Sequence, residues 1–117
     1  QGQGHLVTMS SVGGVRGFPG SFSVYAASKA GLAVLTEGIR ADLLRTPIKV
    51  TTIYPGYIRT PLNADARRLP FAVDAATGSR ALVRAIEREP QEAYVPAWPW
   101  APIAFLLRRL PLRMLRT

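Results

Sequence analysis

The strongest constraint on this chain is the alternation of strand-like and helix-like segments along it. "HLVTMSS" (5–11) is a short apolar run ending in hydroxyl residues, which predicts a buried strand with the chain turning out after it. "IKVTTIYPG" (48–56) is rich in β-branched residues and closed by Pro-Gly, so it predicts a second strand. Between them, Ser23 to Arg45 predicts a helix. Ala26, Ala27, Ala30, Leu32, Ala33, Leu35, Leu43 and Leu44 favour it, and no proline interrupts it before Pro47. Gly31 and Gly38 weaken that helix slightly and would let another backbone approach it closely. Asp74 can N-cap a second helix over "AATGSRALVRAIERE", with Ala81, Leu82, Ala85 and Ile86 on its apolar face, and "EAYVP" predicts a short last strand.

The order strand, helix, strand, helix, strand implies an α/β fold, a parallel sheet whose connections are crossover helices. Open parallel sheets carry their sites at the carboxyl ends of the strands. Ser10 and Ser11 close the first strand, Pro55 to Thr60 follow the second, and Tyr25 and Lys29 begin the helix between them. Three polar groups from separate segments thus gather at one edge. The connections fit this order. "VGGVRGFPGS" (12–21) holds four glycines and a proline, which makes it a loop, and "YIRTPLNADARRLP" is a polar link with room for a short helix.

Composition narrows the chemistry. With 117 residues the chain is one domain's worth at most, and it contains no repeats. Without cysteine, disulfides and Cys-ligated metals are excluded, and the single histidine, His5, cannot make a His-rich metal site. No metal is expected. No apolar run is long enough to span a bilayer, and "QGQGHLVTMSS" lacks the pattern of a signal peptide, so the expected location is the cytoplasm. The net charge of +8 favours acidic partners. Half of that excess lies in Trp98 to Thr117, which has four arginines and no acid. This basic, apolar tail (98–117) has two readings: a segment that closes a pocket or packs on a partner, or a peripheral membrane contact through Trp98, Trp100 and the leucines. Pro111 breaks a continuous amphipathic helix there and favours the first reading. Nucleic acid is not an expected partner, because no recognised binding module is present.

"SVYAASKAG" (23–31) carries the sharpest chemical signal. Residues four apart on a helix share a face, about 6 Å apart along the axis, so Tyr25 and Lys29 point the same way. A phenol is a poor proton shuttle at neutral pH, and a nearby ammonium favours the phenolate, bringing the group closer to the range where general acids and bases work. Alanines around the pair leave room for a substrate and cofactor. A hydroxyl from Ser10 or Ser11 can hydrogen-bond a carbonyl oxygen beside the phenol. Such a trio suits proton transfer to that oxygen while a hydride arrives at its carbon. Tyr54 and Tyr57 are expected to pack or to line a pocket.

"SSVGG", "YAASKAG" and "YPGYIRT", in that order, resemble the short-chain dehydrogenase/reductase family. The resemblance extends to about Pro96 and implies a Rossmann-like doubly wound parallel sheet, here its C-terminal half (1–97), followed by the tail. It implies an NAD- or NADP-dependent oxidoreductase acting on a small-molecule carbonyl or alcohol substrate, with a homo-oligomer for the complete enzyme. By that likeness Tyr25 is the catalytic acid/base. Lys29 tunes it and holds the nicotinamide ribose, and Ser11, the second serine of the pair, orients the carbonyl. Pro55, Gly56, the backbone around Ile58 and the Thr60 hydroxyl meet the nicotinamide. Fourteen positions separate Ser11 from Tyr25, one more than is commonest in the family, which leaves Ser10 open as the alternative. Nothing in the chain matches the family's Gly-rich dinucleotide fingerprint; "VGGVRG" follows the wrong strand. The expectation is therefore half of an enzyme. Its competitors are a half-domain without catalysis and a module acting through the tail.

Overall fold

A computed structural model describes residues 3–58 and 71–115. Its sheet has three parallel strands, β1 (Gly4–Met9), β2 (Ile48–Pro55) and β3 (Glu92–Val95), side by side in that order. Gly4 lies opposite Ile48 and Met9 opposite Ile53, while Thr52 lies opposite Glu92 and Pro55 opposite Val95. The strands therefore end on a common carboxyl edge. β2 is the middle strand, and Val50 to Tyr54 are buried without a break. That continuous burial is what a parallel strand covered on both faces shows.

Helix α1 (Phe22–Asp42) connects β1 to β2, helix α2 (Ala75–Glu87) precedes β3, and helix α3 (Ala97–Arg109) follows it. A short 3₁₀ turn, Val12–Gly14, lies between β1 and α1, and another, Leu112–Leu115, ends the described chain. α1 stops at Asp42, three residues before the predicted end. Leu43 bonds back to the carbonyls of Ile39 and Arg40, and the Thr46 hydroxyl donates to the Leu43 carbonyl, so a turn forms ahead of Pro47. Asp74 caps α2 as the sequence predicts, accepting from the Thr77 N–H at 2.6 Å. That backbone bond holds its carboxyl below the usual carboxylate range. Pro111 ends the helical part of the tail, also as expected.

Polar seams fix α1 to the sheet. Fully buried Thr36 donates to the Leu32 carbonyl and lies 2.9 Å from the Thr8 hydroxyl. Arg40 reaches the Val50 carbonyl, the Thr52 hydroxyl and the Gln91 carbonyl at 3.1, 3.0 and 2.7 Å. β3 starts only opposite Thr52, so the Val50 carbonyl lies beyond its reach and the guanidinium satisfies it instead. The expected close approach at Gly31 and Gly38 is absent among the described residues, since a β-carbon at either would meet nothing within 4 Å. Both lie on the exposed face of α1. The apolar core joins Val12, Tyr54 and Trp100, with Val15, Ala33, Tyr94 and Ile103 packed around them. Trp100 and Ala104 bring α3 into this core.

Candidate active site

The shared register delivers the predicted polar groups to one edge. The Ser10 N–H donates to the Ile53 carbonyl at 2.8 Å, carrying the β1–β2 ladder one residue past β1. The Gly56 N–H does the same toward Val95, at 2.8 Å. The two serines then divide. Ser10 is buried, and its hydroxyl donates to the Lys29 carbonyl at 2.8 Å, tying the start of α1 to the end of β1. Ser11 N-caps the 3₁₀ turn, its oxygen accepting from the Gly13 N–H at 3.0 Å. Accepting uses a lone pair, so the Ser11 proton stays available for a substrate oxygen.

Lys29 comes from the second turn of α1. Its ammonium donates to the Met9 carbonyl at 3.2 Å and stands 5.9 Å from the centre of the Tyr25 ring. Tyr25 is 41% exposed, and its ring packs beside Phe22 with centroids 5.1 Å apart. The "GG" after the serines is what lets these groups meet. A β-carbon on Gly14 would stand 2.6 Å from the Lys29 β-carbon and 3.1 Å from the Ala30 nitrogen. One on Gly13 would press on the rings of Phe22 and Tyr25, at 3.0 and 3.1 Å. Only glycine allows α1 to lie this close to the turn.

Pro55, Gly56 and Ile58 lie at the carboxyl end of β2, level with the serines. Ile58 forms a parallel bridge with Val73, and its side chain packs on Gly78 of α2. Thr60 lies outside the described residues, as does most of the polar link that had room for a short helix. Gly56 is covered by Trp100. A β-carbon there would overlap the indole, whose N–H is buried without a hydrogen-bond partner among the described residues. Tyr57 and Phe71 meet the Trp100 ring edge-on, at 5.7 and 6.0 Å. The tail thus packs against the segment that follows β2. Its other tryptophan, Trp98, is exposed, and so are Phe105, Leu106, Leu112 and Met114 beside Arg109 and Arg113. Among the described residues no helix is long and apolar enough to cross a membrane, and no cluster of acids and histidines could hold a metal ion.

Tyr54 packs in the core. Its phenol donates to Glu92 at 2.8 Å, and its ring stacks on Tyr94 at 4.8 Å. Burial, then the Glu92 carboxylate, push this phenol well above its ordinary pKa. It stays protonated and has no part in proton transfer at neutral pH.

A family profile described as short chain dehydrogenase matches residues 1–69. The chain belongs to the short-chain dehydrogenase family. An uncharacterized oxidoreductase of Mycobacterium tuberculosis is 52% identical to this chain over 116 residues, which cover 99% of the chain and 46% of that protein. An uncharacterized oxidoreductase of Myxococcus xanthus is 36% identical over 99 residues, 84% of this chain and 38% of that one. The crystal structure of a short chain dehydrogenase from Burkholderia cenocepacia, in complex with NADP, superposes with a TM-score of 0.75 at 25% identity. It covers 97% of this chain and 49% of that one. This short-chain dehydrogenase chain thus spans about half the length of the curated relatives it matches, and its three strands and helices form half of a Rossmann-like sheet.

Sequence reasoning named the motif residues but not the groups that contact them. Ser10 as an anchor for Lys29, Gly14 as a contact surface and Trp100 as the cover of Gly56 were not foreseen. The signal for the first two was the run "SSVGG", where two glycines follow two hydroxyls across a single valine. For Trp100 the sequence held only an aromatic in a basic tail.

Proposed function

We propose that this chain is the catalytic half of an NAD(H)- or NADP(H)-dependent oxidoreductase that interconverts an alcohol and a ketone or aldehyde. The observation that supports the reading is that the Lys29 ammonium stands 5.9 Å from the centre of the Tyr25 ring and bonds the Met9 carbonyl at the carboxyl end of β1, two residues before Ser11. The Ser10 hydroxyl already donates to the Lys29 carbonyl, which favours Ser11 for the substrate role. Ser11 keeps its proton and donates it in a hydrogen bond to the substrate oxygen. Tyr25 transfers its own proton to that oxygen in reduction and removes it in oxidation. Lys29 holds the negative charge left on the phenol.

The donor set fits a nicotinamide nucleotide. A phenol and an ammonium on one helix face suit the two hydroxyls of a ribose, and the backbone from Gly56 to Ile58, with Thr60 beyond it, suits a carboxamide. A nicotinamide supplies or accepts the hydride at the carbonyl carbon. The NADP in the Burkholderia protein makes NADP(H) the first cofactor to assay. The tail is read as a wall of the site, because Trp100, Ile103 and Leu107 of α3 line the cleft beside it. The test is Tyr25→Phe in the complete enzyme. We expect turnover to fall by at least about 1,000-fold, with cofactor affinity changed less than about threefold. A Tyr25→Phe enzyme of near-normal rate removes Tyr25 from the proton-transfer role.

A further inference from the structure

Resting on that reading, we propose that the substrates are uncharged, bulky apolar ketones and secondary alcohols, that α3 is the wall selecting them, and that Arg16 positions that wall. A cleft of about 450 Å³ opens between two sides. One side is the turn after β1 with Phe18 and Phe22, and the other is Tyr57, Phe71 and the inner face of α3. It adjoins the reacting groups. Val12 directly follows Ser11, and Phe22, which lines the cleft, packs on the Tyr25 ring. A volume of this order is typical of small-molecule sites, which bind apolar bodies and orient them with a few polar groups.

The lining decides the substrate class. Among the described residues, five of the lining side chains are aromatic, the others are aliphatic or glycine, and none is charged. The chain as a whole carries a net charge of +8, yet the described part of the lining contains no cation. A carboxylate or phosphate entering this cleft would lose its hydration without gaining a partner. A flat ring system would gain dispersion and edge contacts from Phe18, Phe22 and Trp100. A neighbouring cleft of about 540 Å³, between Gly17–Pro19 and the Leu112–Leu115 turn, shares Phe18; Ser11, Tyr25 and Lys29 line neither cleft, but the rival also lacks Val12, the neighbour of Ser11, and Phe22, the neighbour of the Tyr25 ring.

Arg16 joins the two walls. It lies in the loop after the first turn, and its Nη1 donates to the carbonyls of Leu107 and Leu110 at 2.6 and 2.7 Å. These are terminal carbonyls of α3, which have no acceptor duty inside the helix, and a cation there also complements the helix dipole. Leu107 is itself a lining residue, so the guanidinium fixes the width of the cleft.

The experiment uses the complete enzyme and compares kcat/KM for 1-tetralone and 4-phenyl-2-butanone with that for acetoacetate and pyruvate, with Tyr25→Phe as the chemical control. We expect the apolar ketones to be favoured by at least about 100-fold. Ile103→Arg, checked for an intact melt, should lower the apolar rates and raise that of acetoacetate, narrowing the ratio at least about tenfold. Arg16→Ala should raise KM for the bulky ketones about tenfold while leaving kcat within about twofold, and Arg16→Lys should recover part of the loss. Keto acids accepted as well as the apolar ketones, with Tyr25→Phe still inactive, would overturn the substrate class and leave the oxidoreductase reading standing. An Arg16→Ala enzyme with unchanged KM would overturn the role of Arg16. Turnover of no ketone, or turnover indifferent to Tyr25→Phe, would overturn the oxidoreductase reading and this proposal with it.

Discussion

Replacing Gly14 by alanine tests whether the packing of α1 on the first turn sets the site. The new methyl would stand 2.6 Å from the Lys29 β-carbon and 3.1 Å from two backbone atoms of Lys29 and Ala30, where ordinary contact starts at 3.4 Å. Two of these neighbours are backbone and the third is the root of a side chain, so no rotamer change relieves the contact. The helix must retreat by most of an ångström. Two effects oppose each other. Removing a glycine from the unfolded chain stabilises by about 0.4–1 kcal/mol, while overpacking a tight contact costs about 1–3 kcal/mol. The second wins, leaving a net loss of about 1–2 kcal/mol, or several degrees of Tm in a protein of 150–250 residues. The functional loss should be larger, because the moving segment bears Lys29. Misplacement of about 1 Å costs on the order of 100-fold in rate. The assays are a thermal melt and steady-state kinetics on the complete enzyme. A Gly14→Ala protein with wild-type Tm and kcat would refute the contact and the positioning argument together.

The two serines should separate in the same assays. Ser11→Ala is expected to lower kcat by about 100-fold with Tm nearly unchanged, whereas Ser10→Ala, which strips the Lys29 carbonyl of a donor, should cost about 1 kcal/mol of stability and less rate; a larger rate loss for Ser10→Ala would reverse the assignment. Tyr54 predicts an alkaline weakness. Its folded pKa is raised, so the stability it contributes is intact below the ordinary phenol range and is lost as pH climbs above it. Tyr54→Phe should flatten that part of the stability profile in melts from pH 8 to 11, and an unchanged profile would refute it. The 117-residue chain alone should melt without cooperativity and bind neither NAD(H) nor NADP(H) at micromolar levels, because β1 has a single neighbouring strand and Leu6, Met9, Val24 and Leu35 are exposed. Calorimetric titration beside a thermal melt decides it, and a cooperative melt with tight binding would overturn the expectation.

The sequence by itself determined the architecture, because period and order are local properties. An apolar run at 5–11, a β-branched run at 48–56, an alanine-rich stretch between them and an N-capping Asp74 implied alternating strands and helices, and alternation implied a parallel sheet with its site at the carboxyl edge. The same order placed Ser10, Ser11, Tyr25, Lys29 and Pro55 to Ile58 near one another before any contact was known. Tertiary structure decided what each does there. Ser10 and Ser11 are chemically identical and adjacent, and their partners distinguish them: Ser10 bonds the Lys29 carbonyl, 19 positions away, while Ser11 caps the turn through the Gly13 N–H. Gly14 looked like any loop glycine, while Gly31 and Gly38 looked better suited to close packing. The helix face that meets the turn made the choice, and it left the other two exposed. Trp100 carried only the signal of an aromatic in a basic tail, and Arg16 carried none. One covers a glycine from a tail 44 positions beyond it, and the other bonds carbonyls 91 and 94 positions away. Such pairings exist only once the sheet has brought distant segments together, because the energy of a contact depends on where its partner ends up and not on the residue that seeks it.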